Sequence, residues 1–171
     1  VTSLFPSAIA PEIAGALGVS PSLIGVQVSL AYLGAMLSSL IGGGVSRRLG
    51  ACRTTQLSIL LFGTGGLLAA IADIRTFMVA SLFIGLGYGL TNPAASHLLV
   101  RFTNPARRGL VFGLKQTGVP LGGVIAGMLA PALTVAFGWQ VAMASLAIPA
   151  IASILWLERY RGHWDDDRDI D

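Results

Sequence analysis

The chain has 171 residues, of which 54% are hydrophobic and only 11% are charged, whereas a soluble globular domain carries about 25% charged residues. This composition excludes an ordinary soluble domain, because too few polar side chains remain to cover its surface. The net charge of +3 could suggest nucleic-acid binding. The arginines lie in small groups between apolar runs, however, which is typical of a protein oriented in a membrane.

Apolar stretches that are long enough to cross a bilayer follow one another along the chain. A spanning helix needs about 20 mainly apolar residues, and five stretches meet this requirement. They are residues 23–44, 54–72, 77–100, 109–135 and 139–157. The apolar run from Val1 to Ala10 is too short to cross, so we interpret it as the end of a truncated first span. The sequence therefore predicts an all-α integral membrane bundle of six transmembrane helices.

Local signals mark where some of these spans begin and end. Ser20 and Pro21 suit the start of the second span, and the break at Gly138 divides a long apolar run into two spans. The connection at residues 11–22 is predicted to be a loop. Nine basic residues fall in the segments 45–53, 101–108 and 158–171, and only Arg75 falls on the opposite side. The positive-inside rule then places the arginine-rich loops and the acidic tail in the cytoplasm, with the bundle in the inner or plasma membrane.

Glycines and prolines are frequent within the spans. Small residues four apart, which allow close helix packing, occur in 85–89, at Gly118 with Gly122, and at Gly123 with Gly127. Pro120 is one of four prolines inside spans, where each removes a helical hydrogen bond. We therefore predict a packing and kinking role for a set of four residues on the fifth span. They are Gly118, Pro120, Gly122 and Gly123.

Few polar residues within the spans could carry chemistry. Lys115 lies about 9 Å into its helix, and a cation in hydrocarbon costs at least about 2.5 kcal/mol. It either faces a cavity, which favours an anionic substrate or a proton-coupled role, or reaches back to the cytoplasmic surface. Tyr88, Asn92 and Ser96 form a polar stripe. Residues 27, 29 and 32 supply further polar groups, which alternatively serve only as hydrogen bonds between helices.

Several other functions find no support. No Gly-x-Ser-x-Gly, phosphate-binding loop or cluster of metal ligands occurs in the sequence, so we predict neither an enzyme nor a cofactor. The Asn-Pro-Ala triplets at 92–94 and 104–106 suggest a water channel. They lie only 12 residues apart, one in a span and one in a charged loop, so they cannot meet at mid-membrane. Cys52 has arginine neighbours that could lower its pKa, or it is an incidental thiol in a loop.

Four segments resemble motifs of the major facilitator superfamily. Residues 43–53, Gly-Gly-Val-Ser-Arg-Arg-Leu-Gly-Ala-Cys-Arg, resemble its Gly-x-Leu-Ala-Asp-Arg-x-Gly-Arg-Arg loop, although Arg47 replaces the usual Asp. Arg101 with 107–109 resembles the loop before span five. Residues 118–123 resemble an antiporter motif with its proline displaced, and 137–140 resemble the Gly-Trp-Arg that opens span six. The chain is similar to the N-terminal half of such a transporter.

This resemblance implies a fold and a mechanism. The fold would be half of a 12-helix transporter with a 3+3 inverted repeat, in which residues 1–157 form the bundle and residues 158–171 begin a central cytoplasmic linker. This half and a missing C-terminal half would move a small solute by alternating access. Spans one, two, four and five would line the cavity, and a proton would be the coupling ion. The segment 112–116 resembles that of members that carry small organic or inorganic anions. The alternatives are a non-transporting six-span scaffold or regulatory protein, or half of a drug-efflux antiporter.

Two sets of residues acquire roles from the resemblance. The first set lies on helices that would line the substrate cavity: Lys115, Gln116, Asn92, Tyr88 and Tyr32. The second set forms the gating loop: Gly43, Arg47, Arg48, Gly50 and Arg53. The partners implied are the lipid bilayer and a small-molecule substrate, with no nucleic acid.

Overall fold

The computed structural model describes residues 4–20 and 22–168, except for the side chains of residues 23 and 24. Within these residues the chain is helical and contains no strand. The helices are α1 (Phe5–Ala8), α2 (Ala10–Leu17), α3 (Ser22–Leu49), α4 (Ala51–Ala69), α5 (Ile74–Phe102), α6 (Arg108–Phe137), α7 (Trp139–Ala144), α8 (Ala147–Glu158) and α9 (Arg161–Trp164). Residues 1–3 of the predicted first span, Pro21 of the predicted helix start and residues 169–171 of the tail lie outside the described part.

Four of the helical segments are long and apolar enough to cross a membrane: Gly25–Leu49, Ile74–Phe102, Pro105–Phe137 and Trp139–Glu158. The sequence predicts five complete spans, and the one at residues 54–72 is not among the four found in the described residues. It does fold as α4, but the first turns of α4 carry Arg53 and Gln56, which lower its apolar character. The described chain is therefore an all-α bundle with four candidate membrane spans.

The loops in the structure are shorter than the sequence predicts. The segment 45–53 is almost entirely helical, because α3 continues to Leu49 and α4 begins at Ala51. Only Gly50 interrupts the two helices, at φ 90° and ψ 160°, a conformation that is essentially restricted to glycine. The predicted loop at 11–22 is also wrong in its first part, because α2 runs to Leu17 and ends at Gly18 with φ 63°.

The last predicted span contains an irregular turn. Its start is confirmed at Gly138, which has φ 86° and separates α6 from α7. Helices α7 and α8 are then separated at Ser145 and Leu146. Pro149 follows one turn later and has no N–H to donate to the carbonyl of Ser145, which accepts a bond from Ile148 N at 3.1 Å instead. The other span prolines lie inside continuous helices α5 and α6.

Helix α5 is the centre of the bundle and packs most extensively against α3 and α4. The contact between α3 and α5 depends on glycine, because a Cβ atom at Gly85 would overlap the carbonyl oxygen of Ala31. One turn further on, a Cβ at Gly89 would overlap the carbonyl of Ala35. From the first contact to the second, the position on each helix advances by four residues. Helices α3 and α5 therefore run in the same direction, with their backbones in close contact.

Candidate functional site

The intramembrane lysine lies against a polar side chain of the central helix. Lys115 on α6 donates a hydrogen bond from Nζ to Oδ1 of Asn92 on α5, at 2.8 Å. Its ammonium also lies 6.0 Å from the ring centroid of Phe112, within range of a cation–π contact. Two residues predicted from the sequence to bind substrate are therefore in direct contact, and the lysine has a partner on the neighbouring helix α5.

A cavity of about 120 Å³ opens next to this pair. It is lined by Ser7 of α1, by Gln27 and Tyr32 of α3, by Tyr88 of α5 and by Val119 of α6, with further residues from the same region: Leu4, Val28, Ala31 and Gly85. These elements belong to the predicted spans one, two, four and five, which the resemblance assigns to the substrate cavity. No charged residue is among those that line it in the described part of the chain.

The cavity and the lysine pair are consecutive along the same two helices. Tyr88 precedes Asn92 by four residues on α5, and Val119 follows Lys115 by four residues on α6. Four helical residues advance about 6 Å. The Lys115–Asn92 pair therefore lies one turn from the cavity, towards the end of α5 that carries Arg101.

The structure brings together four of the five predicted substrate residues. Tyr32 and Tyr88 share the cavity, while Lys115 and Asn92 form the adjacent pair. Gln116 lies on an exposed part of α6 and does not line this cavity. Their roles in substrate binding stay predictions.

Gln27 also lines the cavity. From the sequence alone, its role in the site could not be distinguished from that of a residue that only forms hydrogen bonds between helices. Its side chain is 2% exposed, and its Oε1 has no hydrogen-bond partner among the described residues. Most buried polar groups in native proteins are hydrogen-bonded, so this amide is an exception. Its polarity within an apolar span was the only available sequence signal, and burial distinguishes it from Ser29, which bonds the carbonyl of Gly25.

At the arginine-rich end of the bundle, the tail binds the gating loop. Asp165 is buried, and its carboxylate accepts hydrogen bonds from Cys52 N at 2.6 Å and Arg53 N at 3.2 Å. These N–H groups belong to the first turn of α4, whose N-cap position is Gly50 and has no capping side chain. Asp165 thus supplies from a distance the cap that α4 lacks locally. This residue of the acidic tail is therefore packed against the bundle and not exposed to solvent.

A second set of tail contacts involves α5. Arg101 forms ion pairs with Asp166 and Asp167, and Asp167 also lies 2.9 Å from Nε2 of His97. The hydrogen bond from Arg101 holds the pKa of Asp166 below its usual value. These residues are partly exposed, and exposed ion pairs contribute little individually, so the buried Asp165 is the main anchor of the tail.

The predicted gating-loop residues divide between two environments. Arg53 hydrogen-bonds Gln56 and forms an ion pair with Glu158 at 3.3 Å, and Gly50 contacts Asp165. Gly43, Arg47 and Arg48 are exposed on the last turns of α3. The structure therefore joins only the C-terminal part of this loop to the tail.

Cys52 is an inert thiol in this environment. It is fully buried, and Sγ lies 3.3 Å from the carbonyl oxygen of Leu157. Burial, and after it the nearby carboxylates of Asp165 and Glu158, raise the pKa of the Cys52 thiol to about 11, although Arg53 and Arg161 act in the opposite direction. Of the two alternatives for Cys52, this environment favours an incidental thiol over one activated by arginines, although the residue lies in α4 and not in a loop.

The predicted packing and kinking set on α6 is only partly packed within the described chain. Gly122 is buried, and a Cβ at Gly123 would meet Cδ1 of Leu4 at 3.3 Å. Gly118 and Pro120 are exposed. Their role in packing or kinking stays a prediction.

Comparison with known proteins gives a consistent picture. The family model of the Major Facilitator Superfamily matches residues 1–168. The chain is 26% identical to a hexuronate transporter of Bacillus subtilis (strain 168) over 154 residues, which cover 89% of this chain and 36% of that protein. It is 30% identical to probable anion transporter 7 of Oryza sativa subsp. japonica, over 85% of this chain and 34% of that protein. It is also 30% identical to a 4-hydroxybenzoate transporter of Acinetobacter baylyi (strain ATCC 33305 / BD413 / ADP1), over 77% and 29%. The chain thus spans about a third of the length of these curated relatives.

Proposed function

The chain belongs to the major facilitator superfamily, and from this membership we propose that it forms part of a secondary transporter that moves a small organic anion by alternating access. The Lys115–Asn92 hydrogen bond beside the cavity carries the proposal. A cation inside an apolar bundle is costly unless it faces a partner or a cavity. Asn92 is neutral, so the charge of Lys115 is available to an anionic substrate.

The chemistry of the relatives supports an anion. Hexuronate, "anion" and 4-hydroxybenzoate are the solutes in their names, and the two named compounds are carboxylates. A carboxylate seated in the cavity would lie one helical turn from Lys115 and could replace Asn92 as its hydrogen-bond acceptor. The two tyrosines, Tyr32 and Tyr88, supply aromatic surface and hydroxyl groups for the rest of such a molecule.

The remaining architecture is proposed from family membership. The described helices would make six crossings as a 3+3 inverted repeat, with α1–α2 ending the first crossing and α4 the third. A second six-helix half would complete the transporter, and residues 158–171 would begin the linker to it. The excess of arginine at one end supports a cytoplasmic location for that end and for the tail, in a plasma or inner membrane.

Uptake by the full-length protein in proteoliposomes tests this function. We would measure entry of radiolabelled glucuronate, 4-hydroxybenzoate and nicotinate, each with and without an inward proton gradient. We expect Lys115→Met to reduce uptake of the transported acid at least tenfold, because the substrate loses its cationic partner. Lys115→Arg is expected to retain part of the activity.

A matched control removes a positive charge elsewhere. Arg75 is exposed at the opposite end of the bundle from Arg101, so Arg75→Met changes the net charge equally and should leave uptake within about twofold. Equal uptake by Lys115→Met and the wild type would show that the lysine only reaches towards the membrane surface, and would overturn the anion proposal. A requirement for the proton gradient would support proton coupling.

A further inference from the structure

The unpaired amide of Gln27 lies at a wall of the cavity. Gln27 is in the second turn of α3, with Oε1 fully buried and unpartnered among residues 4–20 and 22–168. A buried polar group without a partner is destabilising, and its presence in a native cavity indicates a role outside folding. Both ends of a glutamine amide can hydrogen-bond, since it offers an acceptor oxygen and two donor hydrogens.

The helix register places this amide far from Lys115. Ala31 is level with Gly85, because those two backbones touch, and Gln27 precedes Ala31 by one turn. Asn92, the partner of Lys115, follows Gly85 by seven residues on the parallel helix. At 1.5 Å per residue, Gln27 and Asn92 are separated by about 16 Å along the helices. Gln27 and Lys115 therefore reach towards the cavity from opposite ends.

The surface between these two groups is apolar and aromatic. Val28, Ala31 and Val119 line it together with Tyr32 and Tyr88. No charged side chain in the described part of the chain lines the cavity, so a second ionic group on a ligand would lack a counter-charge there. A neutral hydrogen-bonding group suits the unused oxygen of Gln27.

We infer that Gln27 determines substrate specificity by hydrogen-bonding a neutral hydroxyl group at the end of the substrate opposite its carboxylate. The inference rests on the proposed function, because it assumes that the carboxylate is directed towards Lys115. The side chain of Lys115 would turn from Asn92 into the cavity to meet it, because a compact acid does not span the full separation of about 16 Å. The substrate class is then a hydroxylated carboxylic acid with a compact apolar or ring-shaped body. The ligand hydroxyl donates to Oε1 of Gln27, which is the acceptor that the protein leaves unpaired.

Two probes that differ only by the distal hydroxyl test this inference. We would measure uptake of 4-hydroxybenzoate and benzoate by the full-length protein in proteoliposomes. The wild type is expected to prefer 4-hydroxybenzoate, and Gln27→Leu should reduce that preference about tenfold, the loss expected for one hydrogen bond in a closed site. The readout is the ratio of the two uptake rates, which does not depend on how much of the variant reaches the membrane.

Ser29→Ala provides the matched control. Ser29 lies two residues along the same helix, is exposed, and bonds only its own backbone through the Gly25 carbonyl, so its removal should leave the preference unchanged. A Gln27→Leu variant that retains the preference would overturn the inference. Equal uptake of both acids by the wild type would also overturn the inference.

The wild-type result also distinguishes this inference from the proposed function. Uptake of neither acid would overturn the assignment to carboxylates of this size, and the role of Gln27 would fall with it. Uptake that depends on Lys115 but is insensitive to the hydroxyl would leave the proposed function intact and overturn the role of Gln27 alone.

Discussion

The carboxylate of Asp165 accepts a hydrogen bond from the backbone N–H of Cys52 at 2.6 Å, across 113 positions of sequence. A helix begins with four N–H groups that have no helical partner, and a glycine at the N-cap cannot supply one. Asp165 provides this missing acceptor for α4, and its negative charge also lies favourably at the positive end of the helix dipole. The side chain of Asp165 therefore attaches the tail to backbone N–H groups of the gating loop.

Replacement of Asp165 should loosen this attachment. We expect Asp165→Ala to lower stability by about 0.5–2 kcal/mol, the usual cost of losing a helix cap, measured as a lower midpoint of thermal unfolding in detergent. Asp166→Ala is the matched control, because Asp166 forms an exposed ion pair with Arg101 and such pairs contribute at most about 1 kcal/mol. Equal effects of the two variants would contradict a capping role for Asp165.

Gly50 should tolerate no side chain. Its φ of 90° and ψ of 160° are strained for any other residue by about 1–3 kcal/mol, and a Cβ atom would overlap the carboxylate of Asp165. We expect Gly50→Ala to lower the unfolding midpoint and to release the tail to limited proteolysis after Arg159 or Arg161.

Gly43→Ala is the control for this prediction. Gly43 lies in the same predicted gating loop, but it is inside α3 and a Cβ there meets no atom within 4 Å. Because alanine favours helix over glycine by about 1 kcal/mol, this variant should be neutral or slightly more stable. Destabilisation of both variants to the same degree would show that the loop is sensitive to any change, independently of Asp165.

The sequence predicted the membrane-protein class, most of the helices and the position of Lys115 within a candidate span, because hydropathy and charge are local properties. It did not predict the contact between Asp165 and Cys52, because a cap supplied from a distant segment leaves no pattern near the helix that it caps. Gln27 was recognisable as polar, but its missing partner is a property of the packed structure. The span at 54–72 folds as α4, but it is not among the four candidate membrane spans of the described residues, because Arg53 and Gln56 in its first turns lower its mean hydropathy.

The reactivity of Cys52 should follow its raised pKa. The thiolate is the reactive form, and with a pKa of about 11 only about one thiol in a thousand is ionised at pH 8. Labelling of the Cys52 peptide by a maleimide, followed by mass spectrometry, should be slow at pH 8 in the native protein and fast after unfolding in detergent. The native rate should increase as the pH rises towards 11.

Asp165→Asn should accelerate this labelling. The carboxylate of Asp165 raises the pKa of Cys52, so its neutralisation lowers that pKa, and weakening of the cap also exposes the thiol. Fast native labelling of the wild type at pH 8 would contradict the buried environment. An unchanged rate in Asp165→Asn would show that burial alone protects the thiol.

The close contact between α3 and α5 makes Gly85 the least replaceable glycine of the central helix. In Gly85→Ala, the added methyl group would meet the backbone of Ala31, which cannot rotate away, so the two helices must separate. We expect a loss of about 1–3 kcal/mol, typical of overpacking, together with impaired transport, because the displaced helices carry Tyr32 and Tyr88 of the cavity. Gly127→Ala on α6, where a Cβ meets no atom within 4 Å, should retain the wild-type unfolding midpoint. A normal midpoint for Gly85→Ala in the same detergent would contradict the predicted contact between the two backbones.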